Sequence, residues 1–78
     1  MRLLLIEDDT MLAEAVRTGL HQAGYVVDWV RSVAEGRTAL RAFEYESLLL
    51  DLGLPDGDGM TLIAELRDRS KSLPILVL

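Results

Sequence analysis

The residues with chemistry to offer in this chain are carboxylates. Glu7, Asp8 and Asp9 follow directly on the apolar run Leu3-Leu4-Leu5-Ile6, and Asp51 follows directly on Leu48-Leu49-Leu50. Short continuous apolar runs fit strands buried on both faces. Two such strands that finish in acids can gather those acids at one edge of a sheet. Like charges at close range raise each other's pKa, and burial adds to the penalty. No Lys or Arg lies within either motif. A hard divalent cation with oxygen ligands relieves such a cluster, and Mg²⁺ suits it because it takes few carboxylates and keeps several waters. The pattern predicts an acidic metal pocket with one carboxylate left to react.

The elements that must position these acids can be read from the same sequence. Arg2 to Glu7 is predicted as a strand. Asp9 or Thr10 caps a helix running to about Ala23, with Leu12, Val16 and Leu20 on its inner stripe. Gly24 follows as a left-handed stop. Tyr25 to Val30 is rich in β-formers and reads as a second strand. Ser32 and Glu35 have capping-box spacing, so a second helix starts there with Val33, Gly36, Leu40 and Phe43 facing inward. Ser47 to Asp51 is a third strand, and Leu52 to Gly57 a Gly/Pro loop. Asp58 caps a third helix to about Arg69, with Leu62, Ile63 and Leu66 inward; Ser70 to Leu73 is a linker; Ile75 to Leu78 is a fourth strand. Strands alternating with helices over short connections predict a doubly wound parallel sheet of the α/β class. Ligands bind such sheets at the carboxyl ends of the strands, where both acidic motifs fall.

Composition narrows the function classes. The chain has 78 residues, no Cys, half of its residues hydrophobic and a formal net charge of −5. One small domain is the expectation. An acidic balance with scattered Lys and Arg argues against nucleic-acid contact by this piece, since phosphate contacts need a basic face. No apolar run is long enough to cross a bilayer, and the start does not read as a secretory signal, so a cytoplasmic location is expected. The string from Asp51 to Gly59 (DLGLPDGDG) admits other readings. A calcium loop would place Leu54 at its first ligand position and needs a preceding helix, which disfavours it. An aspartyl phosphatase needs a second acid two residues after the nucleophile, where Gly53 stands. His21 reads as a surface residue, Trp29 as core or strand-edge packing, and the Arg37 and Arg41 pair as a solvated helix face.

Taken together, LLLIEDD at the first strand and LLLDLGLPDGDG around the third resemble a two-component response regulator receiver domain. The string YVVDWV most resembles the QseB/PmrA branch of the OmpR/PhoB-type regulators. The resemblance implies a flavodoxin-like (CheY-like) fold and a phosphoacceptor function, not a stand-alone enzyme. It makes Asp51 the phosphoacceptor. Asp8 and Asp51 would hold Mg²⁺ directly, Glu7 through water, and Gly53 through its backbone carbonyl, with Pro55 fixing that loop. Asp9 would be a cap or a secondary contact. The implied partner is a sensor histidine kinase, and the implied outcome in the intact protein is control of transcription through a DNA-binding domain.

The family's fold has a fifth strand and two further helices beyond what this sequence supplies. Its Ser/Thr after the fourth strand, its Lys and its aromatic switch residue would all lie past Leu78. Residues 1–78 are thus expected to form the N-terminal, metal and acceptor part of a receiver, truncated after the fourth strand. On that reading the piece takes up phosphoryl groups poorly. As an alternative role, it self-associates through the apolar strand Ile75 to Leu78, whose open edge is a template for another strand.

Overall fold

A computed structural model describes residues 1–54, 59–69 and 72–78. The described elements run β1 (Arg2–Ile6), α1 (Thr10–Gln22), β2 (Val26–Val30), α2 (Val33–Ala42), β3 (Ser47–Leu50), α3 (Gly59–Arg69) and β4 (Ile75–Val77). Asp58, Pro55 and the Ser70-Lys71 part of the expected linker lie outside the described residues.

The strands form one parallel sheet in the order β2-β1-β3-β4. This is the doubly wound, flavodoxin-like arrangement. From β1 the chain goes first to β2 on one side, then crosses by α2 to β3 on the other. The switch point therefore lies between β1 and β3, the two strands that end in acids. Their register aligns Ile6 with Leu50, so Glu7 and Asp51 leave the sheet side by side.

Helices cover both faces, and burial follows. Leu4, Ile6, Leu48 and Leu50 meet Val33 of α2 and Leu62 and Leu66 of α3. Leu5 and Leu49, on the opposite pleat, meet Ala13, with Val16, Leu20, Val27 and Trp29 packed around them. This two-sided burial is why β1 and β3 are continuous apolar runs. Each fully buried Leu or Ile contributes about 1.5–3 kcal/mol.

The helix ends are set by local chemistry. Asp9 is the α1 N-cap, its Oδ1 accepting from Leu12 N–H at 3.1 Å. At the other end Gly24 sits at φ +96°, with its N–H donating to His21 O and Tyr25 N–H donating to Leu20 O. That pair of bonds is a Schellman stop, which requires the left-handed residue a glycine supplies. Ser32 caps α2 by accepting from Glu35 N–H at 3.1 Å, and the Glu35 carboxylate reaches back to Ser32 Oγ and Arg31 N–H. Gly36 lets α2 lie directly on β1, since a Cβ there would collide with Ile6 Cδ1.

Three details differ from the sequence expectation. The inner stripe of α1 is centred on Ala13, Val16 and Leu20, while Leu12 stands on the flank and is 45% exposed. Phe43 is outside α2, as its extended C-cap, and is exposed; Arg2 lies over its ring and Tyr45 packs edge-on. Arg37 is not merely solvated. It makes a bidentate pair with Glu65, Nε to Oε2 at 3.0 Å and Nη2 to Oε1 at 2.9 Å, tying α2 to α3. The spacing that suggested a solvated face says nothing of what the next helix brings alongside.

Candidate functional site

The ends of β1 and β3 are joined by backbone bonds just where the side chains turn polar. Asp51 N–H donates to Ile6 O at 3.0 Å, and Glu7 N–H donates to Val30 O at 3.1 Å on the other side. These bonds hold three carboxylates together: ligand oxygens of Glu7, Asp8 and Asp51 all lie within 4.8 Å of one another. Among the described residues this is the one such cluster. Grooves between α1 and β2 and between α2 and α3 contain none of these acids.

The three acids are not equivalent. Glu7 is buried, 2% exposed, while Asp8 and Asp51 are half-buried. Burial pushes the Glu7 carboxyl above its usual value, and its contacts with Asp51 add to the rise. Asp51 is held below its usual value, first by the Gly53 N–H that donates to its Oδ1 at 2.9 Å and then by Glu7 as a hydrogen-bond partner. As pH falls, this cluster therefore takes up its proton on Glu7 before Asp51. An ionised carboxylate is a competent nucleophile, and charged carboxylates this close repel each other without a cation.

The donor set fits a small hard cation. It consists of carboxylate oxygens, with no thiolate or imidazole among the clustered groups. Asp9 is not in the cluster; its side chain is engaged in the helix cap. Gly53 is placed two residues beyond Asp51 and is engaged with it through its N–H.

Two residues from β2 and its exit also reach this loop; the sequence reading took Trp29 for core or strand-edge packing and did not mark Arg31. The Trp29 indole Nε1–H donates to Glu7 O at 2.8 Å. Arg31 Nη2 donates to Asp8 O at 2.9 Å, and its Nη1 to Thr10 Oγ1 at 2.8 Å. Their sequence distance from the acids hides the contact. Only the β1–β2 register, which sets Leu5 against Trp29 and Ile6 against Val30, brings them alongside.

The sequence and fold are similar to those of known proteins. The transcriptional regulatory protein QseB of Escherichia coli O157:H7 is 40% identical over 78 residues, covering 100% of this chain and 36% of that protein. The two-component response regulator PhoP of Pseudomonas aeruginosa is also 40% identical, again over the whole chain and over 35% of its own length. These relatives are OmpR/PhoB-type regulators, and the chain spans about a third of their length. The non-phosphorylated receiver domain of HemR from Leptospira biflexa superposes with a TM-score of 0.90 at 37% identity, over 97% of this chain and 61% of that one. Residues 3–78 match the response regulator receiver domain family, and the chain belongs to that family.

Proposed function

We propose that this domain is the phosphoacceptor of a two-component response regulator and that Asp51 receives the phosphoryl group. The observation that carries this reading is the Asp51 carboxylate itself: it accepts from Gly53 N–H at 2.9 Å and lies within 4.8 Å of Glu7 and Asp8 ligand oxygens. The donor is a phosphohistidine of a sensor histidine kinase. An Asp51 oxygen attacks phosphorus in line, the P–N bond breaks with its electrons returning to the imidazole, and an acyl phosphate forms on Asp51. Water later hydrolyses that acyl phosphate and resets the switch.

Glu7, Asp8, Asp51 and the Gly53 carbonyl would hold Mg²⁺, with Glu7 acting through water. The bound cation would neutralise the equatorial phosphoryl oxygens. The module acts as a signalling switch, not as a stand-alone enzyme, and in the intact protein its state controls transcription by a DNA-binding domain outside residues 1–78, in the cytoplasm. Nucleic-acid contact is not assigned to this domain. Among the described residues no helix is long and apolar enough to cross a membrane.

The test is phosphotransfer to the domain in the intact protein. With a small phosphoramidate donor and Mg²⁺, one phosphoryl group should be gained and should map to Asp51 after borohydride trapping. Labelling that persists at full yield in Asp51→Asn, or that ignores chelation of Mg²⁺, would contradict the proposal.

A further inference from the structure

Trp29 and Arg31 do more than pack. Their polar groups end on consecutive backbone carbonyls of the acidic loop, Glu7 O and Asp8 O. Arg31 also grips the Thr10 hydroxyl at the first residue of α1, so its guanidinium spans the loop across Asp9. Each of the two side chains is itself held. The Arg31 guanidinium carbon lies 5.3 Å from the Trp29 ring centroid, and the Arg31 backbone N–H donates to the Glu35 carboxylate at 3.2 Å, fixing the chain from which the side chain reaches. Arg17 approaches the same ring at 5.6 Å, but no bond joins it to the loop backbone among the described contacts.

We infer that Trp29 and Arg31 are positioning residues that clamp the Glu7-Asp8 backbone so that both carboxylates point into the pocket before a cation arrives. The inference rests on the metal-site reading of the preceding subsection. The physical logic is one of pre-organisation. Glu7 and Asp8 repel each other and Asp51, and a free loop would relax by turning a carboxylate out to water. Donors fixed to the two carbonyls oppose that relaxation without consuming any carboxylate oxygen. The Arg31 bonds to Asp8 O and Thr10 Oγ1 leave the ligand oxygens free. Cation affinity is then set partly by residues that never touch the cation.

Trp29→Phe keeps an aromatic ring and removes only the indole donor. Arg31→Gln removes the two-point grip, and Arg31→Lys keeps the charge but can satisfy only part of it. The first readout is Mg²⁺ affinity by calorimetry. Trp29→Phe and Arg31→Gln should each weaken binding about fivefold, the value of one hydrogen bond of ordinary net strength. Arg31→Lys should fall between Arg31→Gln and the unaltered chain, and Arg17→Gln should leave the affinity unchanged. The second readout needs no metal: amide exchange at Glu7 and Asp9 should quicken several-fold in Trp29→Phe and Arg31→Gln, while exchange in β3 stays as it was.

Failure of the two ideas looks different. If the unaltered chain shows no Mg²⁺ binding, the metal-site reading fails, and the exchange rates still decide the clamp. Unchanged loop exchange overturns the clamp in every case. Quickened exchange with unchanged Mg²⁺ affinity overturns the link between clamp and cation.

Discussion

Glu7→Gln should make the metal-free protein more stable while making it a poorer binder of Mg²⁺. The Glu7 carboxylate is 2% exposed, and its oxygens lie within 4.8 Å of those of Asp8 and Asp51. At that separation two like charges repel by about 3–4 kcal/mol at an effective dielectric of ~20. Asp8 and Asp51 are half-buried, so water screens part of this, and a net relief of about 1–2 kcal/mol is expected. Gln is nearly isosteric. Its carbonyl can keep the bond that Asp9 N–H now makes to Glu7 Oε2, and its amide can donate toward Asp51. For a domain of this size 1 kcal/mol corresponds to about 4–8 °C, so the melting temperature should rise by roughly 5–15 °C without metal.

Glu7 has a raised carboxyl in the folded chain, so the folded state binds its proton more tightly than the unfolded state does. The stability associated with protonated Glu7 is fully present below its ordinary value of 4.5 and is lost as pH rises through the higher folded value. Asp51 behaves oppositely: its contribution is present above its ordinary value of 3.8 and is lost as pH falls through its lowered folded value. The advantage of Glu7→Gln should therefore be near zero around pH 4 and grow toward neutrality. Thermal melts across pH 4–8, with and without millimolar Mg²⁺, would read both effects. A variant less stable than the unaltered chain at pH 8 without metal, or an advantage independent of pH, would refute the reasoning.

Gly36→Ala should destabilise the fold by about 1–3 kcal/mol despite the better helix propensity of Ala, because the new methyl meets Ile6 Cδ1; denaturant melts measure it. Tyr45 donates to Asp28 Oδ2 at 2.7 Å, and burial together with that bond pushes its phenol up to about 12. Its contribution to stability is thus complete below the ordinary value of 10.0 and lost as pH rises through about 12, and the tyrosinate absorbance of Tyr45→Phe should lack that late step.

Much of this fold is legible because local and global demands coincide. The runs Leu3–Ile6 and Leu48–Leu50 are apolar without alternation because helices cover both faces of the sheet. Gly24 and the Ser32–Glu35 pair mark helix ends through chemistry that needs no distant partner. The convergence of Glu7 and Asp51 follows from strand order, since both acids close strands that flank the switch point. What stayed hidden depends on neighbours remote in sequence. Leu12 and Ala13 are adjacent, and which of them faces the sheet turns on a rotation of α1 that periodicity leaves open by a residue. Phe43 continues the helical spacing, yet α2 ends at Ala42 and the ring swings out beneath Arg2. The Arg37–Glu65 pair and the reach of Trp29 and Arg31 to the acidic loop are tertiary facts with no local trace in residue type or spacing.

Glu7, Asp8 and Asp51 are proposed to make a cation site ready for phosphoryl chemistry. A titration of this chain with Mg²⁺, followed residue by residue in amide NMR spectra, tests it most directly. Saturable shifts should concentrate at residues 7–10 and 51–54, vanish in Asp8→Ala and reverse on chelation. Spectra unchanged at tens of millimolar Mg²⁺, or shifts spread evenly over exposed acids such as Glu14, Glu44 and Asp68, would contradict it.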